Sequence, residues 1–166
     1  MTAHNSRCAG ALTEQTTVSV NTRSGPCPVL VSRLVMNAIA HWVSRHQLSR
    51  WEMCEVLRQL ERIAPVQSVL EIGCFVGDSL RVWRECLNPE LLIGVQDTDE
   101  LTEATAFDLG VVAIRGRSQE QRTYERVLDV LAPDGGRKSS EVDFLYIDGD
   151  HTLNAVRQDW ALYSPL

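Results

Sequence analysis

The stretch SVLEIGCFVGDS, residues 68–79, marks a change of pattern in the chain. Val69, Leu70 and Ile72 form a short apolar run containing β-branched side chains, which predicts a strand. Gly73 and Gly77 then flank a turn in which backbone can approach a ligand closely, because glycine reaches conformations closed to other residues. Asp78 or Ser79 is placed to cap a helix through Leu80, Trp83 and Leu87, and Asn88-Pro89 terminates it. Strand, glycine turn and helix in succession open a βα unit.

Downstream the unit repeats. Leu91 to Val95 predict a second strand, with a short helix from about Asp99, and Val111 to Ile114 a third. Ser118 and Gln121 have the spacing of a capping box, ahead of a helix that buries Tyr124, Val127, Leu128 and Leu131. The loop APDGGRKSS leads to a fourth strand, Val142 to Ile147, and Asp150 can cap a last helix whose buried face is expected at Leu153, Val156, Trp160 and Tyr163. Apolar runs without strict alternation, each followed by a helix, predict strands covered on both faces: an α/β fold with a parallel, Rossmann-like sheet.

Upstream, residues 1–28 are rich in Thr, Ser, Asn and Gly with no sustained period, which predicts a mobile N-terminal arm closed by Pro26 and Pro28. Residues 29–65 predict N-terminal helices, one carrying Leu30, Leu34, Ile39 and Trp42, the next capped by Ser49 with the stripe Met53, Val56, Leu57, Leu60 and Ile63. Pro65 stops that helix, and residues 66–166 hold the βα units.

A chain that is 44% hydrophobic and 23% charged suits one compact domain. A net charge of −6 with dispersed Lys and Arg lacks the footprint of a nucleic-acid binder, so a small-molecule partner is expected. No apolar run approaches the roughly 18 residues that cross a bilayer, and the first residues lack a signal-like hydrophobic core. The five cysteines contain no C-x-x-C pair, which predicts reduced thiols and a cytoplasmic location. A homo-oligomer is compatible with this composition.

Ligands of open α/β sheets lie beyond the carboxyl ends of the strands, where strand order reverses. Residues 71–79 would lie there. Their E-x-G-x-x-x-G spacing is not the G-x-G-x-x-G of a dinucleotide site, which disfavours a nicotinamide-dependent oxidoreductase, and Glu71 would repel a pyrophosphate. A positively charged ligand is preferred. VLEIGCFVGDS resembles the cofactor loop of class I S-adenosylmethionine-dependent methyltransferases, whose sulfonium and amino groups suit a neighbouring carboxylate. The resemblance implies that Glu71, Gly73, Gly77 and Ser79 bind the cofactor. In that family an acid near the end of the second strand accepts hydrogen bonds from both ribose hydroxyls. Here IGVQDTDE puts Gln96 at that position, so either Asp97 substitutes after a one-residue shift or ribose binding is weakened. IRGRS resembles the family's G-D-S stretch, with Arg117 in place of the Asp; Ser118 serves the adenine edge or a helix cap.

The segment DFLYIDGDHTLNAVRQDWALYSPL resembles methyltransferases related to cephalosporin hydroxylase and, more distantly, the metal-dependent catechol and caffeoyl-CoA O-methyltransferase type. With the first motif, the resemblance covers about Glu52 to Leu166. It implies that Asp148 lies at the cofactor and can ligate a divalent cation such as Mg²⁺ beside an acceptor hydroxyl, with Asp148 and His151 as the catalytic pair. Methyl transfer is an in-line displacement, so a nucleophilic oxygen must sit about 3 Å from the methyl carbon and lose its proton. His151, or Asp148 through the metal, would receive it; His151 is equally explained as a hydrogen-bonding loop residue. The family's sheet has strand order 3-2-1-4-5-7-6. This sequence supplies the first four strands, and a C-terminally truncated domain with an incomplete metal site is expected. Two functional expectations follow: methyl transfer to the hydroxyl oxygen of a small-molecule acceptor, or an inactive fragment that only binds cofactor or a protein partner.

Overall fold

The structure, a computed structural model, describes residues 16–22, 25–31, 50–60, 62, 65–132 and 141–166. Its first elements are strands β1 (Thr16–Thr22) and β2 (Gly25–Val31), paired antiparallel from Thr16 opposite Val31 to Thr22 opposite Gly25. This ribbon replaces part of the expected arm, and its second strand runs past the expected helix start at Val29. The run TTVSVNT is dominated by Thr and Val, which favour a pleated backbone. Pro26 and Pro28, two residues apart, put both missing N–H groups on one edge of β2, where a two-stranded ribbon tolerates them. Residues 32–49, including the rest of that helix and the Ser49 cap, lie outside the described residues.

Helix α1 (Arg50–Leu60) buries Met53, Leu57 and Leu60, spaced as one helical face. There follow β3 (Ser68–Ile72), α2 (Asp78–Leu87), β4 (Leu91–Gln96), α3 (Glu103–Leu109), β5 (Val112–Arg115), α4 (Gln121–Leu131), β6 (Phe144–Ile147) and α5 (Leu153–Tyr163). The four later strands form one parallel sheet in the order β5-β4-β3-β6, the expected α/β architecture. Strand β3 shows why both faces must be covered. Val69 packs with Met53, Leu57, Leu80, Trp83 and Leu109 from α1, α2 and α3, whereas Leu70 and Ile72 pack with Val127, Leu131 and Tyr163 from α4 and α5. Each large side chain so buried contributes roughly 1.5–3 kcal/mol.

Polar anchors fix the strand ends. The Asp143 carboxylate accepts hydrogen bonds from the backbone N–H groups of Gln67 and Ser68, both at 2.8 Å, and from the Ser68 hydroxyl at 3.0 Å. These bonds, the Ser68 amide first, hold its pKa below the ordinary value. The Arg84 guanidinium donates to the carbonyls of Leu109 (2.7 Å), Pro89 (2.6 Å) and Gly110 (2.9 Å), tying α2 to the turn before β5.

Four helix details differ from the expectations. The N-cap of α2 is Gly77, with φ 86° and no side-chain cap, and Asp78 lies inside the first turn. For α3 the Thr102 hydroxyl accepts from the Thr105 N–H, while Asp99 pairs with Arg115. Glu120 rather than Ser118 is the N-cap of α4. The Thr152 hydroxyl caps α5, and Asp150, just ahead of it, accepts from the Thr152 N–H at 2.9 Å. At α3 and α5 polar residues a few positions apart compete for one cap, whereas neither Gly77 nor Glu120 supplies a side-chain cap. The buried face of α5 is Ala155, Asp159 and Tyr163, and the expected core residues Leu153 and Trp160 are 67% and 63% exposed. Both sets have helical spacing, and the polar partners of Asp159 and Tyr163 on the sheet side choose between them.

Candidate functional site

The chain runs from β3 outward through β4 to β5, then returns to the other side of β3 for β6. Order therefore reverses between β3 and β6, and the loops leaving the two strands diverge there. Beyond the carboxyl ends of the strands lies a cleft of about 420 Å³, within the range of roughly 300–1,000 Å³ for small-molecule sites. Gly73 and Phe75 line it from the β3–α2 loop, Gln96 and Asp97 from the end of β4, residues 116–119 from the loop after β5, and Asp148, Gly149 and Asp150 from the loop after β6.

Gly73 has no room for a side chain. A Cβ there would lie 2.3 Å from the Asp148 carbonyl oxygen and 2.5 Å from the Gly149 Cα, and its φ of +86° is a second barrier. The close crossing of two loops demands this glycine. Gly77 also has φ +86°, but a Cβ there would meet the Leu101 side chain at 2.9 Å, against α3 and away from the cleft.

Gln96 holds the loop between them. Its Oε1 accepts from the backbone N–H groups of Cys74 (2.8 Å) and Phe75 (3.0 Å), and its Nε2 donates to the Thr98 hydroxyl. The acid usual at this position in the resembled family has no N–H to give. Beside it Asp97 is exposed and faces the cleft. Phe75, with φ 45° and 44% exposed, is a bulky residue in a region that favours glycine.

Glu71 lies elsewhere. Alternation along β3 puts it with Val69 on the α2 side, fully buried, where Ser79 donates to its Oε1 and the Trp83 indole N–H to its Oε2 at 2.6 Å. Burial pushes its pKa up to about 8, with the nearby Asp148 charge adding to the shift and the two hydrogen bonds opposing it. Ser79 is engaged by Glu71 and, like Gly77, does not line the cleft. Glu71, Gly77 and Ser79, all expected to bind the cofactor, do not line the cleft.

Asp148 lines the cleft, and its Oδ1 lies 3.1 Å from the His151 Nε2. The His151 side chain is 67% exposed and lies outside the cleft lining. Among the described residues no three His, Cys, Asp or Glu side chains gather as a metal site, and Asp148, the one expected Mg²⁺ ligand, lines the cleft. Asp150 keeps a lowered pKa, chiefly through the Thr152 backbone N–H.

The floor holds two residues the sequence reading passed over. Gln119 lines the cleft and its Nε2 lies 2.9 Å from each oxygen of Asp159 and 2.8 Å from the Ser118 hydroxyl. Asp159 is fully buried, and burial raises its pKa against the opposing bonds from Ser118 and Gln119. One helical turn on, the Tyr163 hydroxyl donates to the Ser118 carbonyl at 2.8 Å. An acid and a tyrosine four residues apart on one helix face was the available signal.

Neither a family model nor a curated protein matches this sequence. Similar solved structures include the SAH-bound methyltransferase PaMTH1 of Podospora anserina, with 16% identity and a TM-score of 0.52, covering 80% of this chain and 58% of that one. They also include the O-methyltransferase TomG of Streptomyces achromogenes in complex with SAM, with 16% identity and a TM-score of 0.47, covering 80% of this chain and 61% of that one. The chain thus spans less than two thirds of either structure. At this identity the Podospora likeness shows the fold: the Rossmann-like α/β fold of class I methyltransferases.

Proposed function

We propose that this chain is the cofactor-binding portion of an S-adenosylmethionine-dependent methyltransferase that acts on a hydroxyl oxygen of a small-molecule acceptor. The supporting observation is the charge of the cleft at the strand-order reversal. Among the described residues Asp97, Asp148 and Asp150 line it against the single cation Arg117. An excess of carboxylate suits a ligand carrying a sulfonium and an ammonium and disfavours a pyrophosphate. The acidic role expected of Glu71 passes to Asp97 and Asp148. Asp97 can accept from both ribose hydroxyls, because Gln96 is committed to the loop. Gly73 keeps the two loops close, and Ser118 with Gln119 forms the adenine edge. When bound, the cofactor supplies a methyl group on cationic sulfur. An acceptor seated at the rim of the cleft, beside Asp150, would give its proton to His151: in the tautomer whose Nε2–H donates to Asp148 at 3.1 Å, Nδ1 is the base. The protein would act in the cytoplasm on small-molecule partners.

A second reading, binding of cofactor or a protein partner without turnover, draws on the high exposure of the proposed base, 67%. Calorimetry with S-adenosylmethionine and S-adenosylhomocysteine, followed by methyl transfer to catechols and other hydroxylated acceptors, separates the two. Binding that Asp97→Asn weakens about tenfold, as for one lost charge-assisted hydrogen-bond pair, together with turnover supports the first. Binding without turnover supports the second. A folded chain that gives no heat at millimolar ligand refutes the first reading and leaves of the second only the binding of a protein partner.

A further inference from the structure

We infer that Asp159 is a positioning residue that fixes the amide of Gln119 and thereby selects an adenine over a 6-oxopurine. This rests on the proposed nucleoside cofactor and extends it to a residue that would never touch the ligand. A Gln side chain can present either end, a carbonyl that accepts or an NH₂ that donates. The Gln119 Nε2 faces both oxygens of the fully buried Asp159 at 2.9 Å and the Ser118 hydroxyl at 2.8 Å, so its N–H groups are spent on the floor. A carboxylate only accepts; turning the amide over would set oxygen against oxygen in a buried place. The Gln119 side chain lines the cleft, and its Oε1 accepts no hydrogen bond among the described residues. The end left for a ligand is therefore an acceptor. Adenine offers an amino donor at position 6, whereas hypoxanthine offers an oxygen there. Asp159 is itself held in place, since Tyr163 on the same helix face donates to the Ser118 carbonyl.

The test compares S-adenosylhomocysteine with its deaminated analogue S-inosylhomocysteine by calorimetry. The native chain should prefer the adenine form by about tenfold or more, the effect of one mismatched buried hydrogen bond. Asp159→Asn puts a side chain with both a donor and an acceptor beneath Gln119, which lets the amide face either way. The preference should then fall to about threefold or less, with a gain for the inosine form, which a merely structural role of Asp159 would not produce. Gln119→Met, which keeps Asp159, should also abolish the preference and serves if the first variant does not fold. An unchanged preference in a folded Asp159→Asn or Gln119→Met overturns the inference while leaving cofactor binding intact. A native chain that binds neither nucleoside overturns the proposed function, and this inference with it.

Discussion

Replacing Glu71 with Gln should change how stability responds to pH more than it changes the fold. The carboxyl is fully buried against Ser79 and Trp83, with its pKa raised from 4.5 to about 8, chiefly by burial. In the unfolded chain the group loses its proton near the ordinary value. In the folded chain burial keeps that proton on the carboxyl until the pH approaches about 8. A raised pKa means that its contribution is fully present below about 4.5 and is lost as pH rises through about 8. At about 1.4 kcal/mol for each pH step across that interval, the native chain should lose roughly 3 to 4 kcal/mol between about pH 5 and about pH 8 from this group alone. The Gln side chain is neutral at every pH and can accept from Trp83 while donating to Ser79. Urea denaturation of the native chain and of Glu71→Gln at several pH values isolates the effect, because every other titrating group is common to the two. The substituted protein should give the flatter dependence of stability on pH. Parallel curves for the two proteins would refute the assignment of a protonated carboxyl beneath the cleft.

Gly73→Ala should cost at least about 3 kcal/mol, since its Cβ would strike the backbone of Asp148 and Gly149 at a positive φ; the loss of a cooperative melt is the readout. Thr152→Ala removes the cap on α5 and should lower the urea-derived stability by about 1 kcal/mol. Trp160→Ser should alter it by no more than about 0.5 kcal/mol, because that side chain is 63% exposed; a large loss would mean that the helix packs by its apolar stripe after all. Tyr163→Phe should cost about 1 kcal/mol in the same measurement, for the bond to the Ser118 carbonyl.

The sheet was legible because uninterrupted apolar runs such as Leu91 to Val95 state both strand and burial, and the following helices require parallel crossovers. The β-ribbon at Thr16–Val31 was missed because polar Thr and Ser masked β-branched preference. Caps were not legible where two polar residues stand close together, as Asp150 and Thr152 do. Among the expected site residues, Gly73, Gln96, Asp97, Ser118 and Asp148 converge on the cleft, while Glu71, Gly77, Ser79 and His151 do not. For Glu71 the alternation with Val69 already contained the answer, since residues two apart share a face. Gln119 and Asp159 are 40 positions apart, and only the packing of α5 beneath the loop after β5 brings them together.

The bonds from Asp143 to Gln67 and Ser68 bridge separations of 76 and 75 residues. Strands β3, β4 and β5 can zip together in order of synthesis, but β3 keeps one flank bare until residues 143–147 leave the ribosome. Assembly of such distant pairs is slow, so the nascent chain spends its vulnerable interval with that flank open to wrong partners, and a chaperone that shields it would raise the yield of native protein.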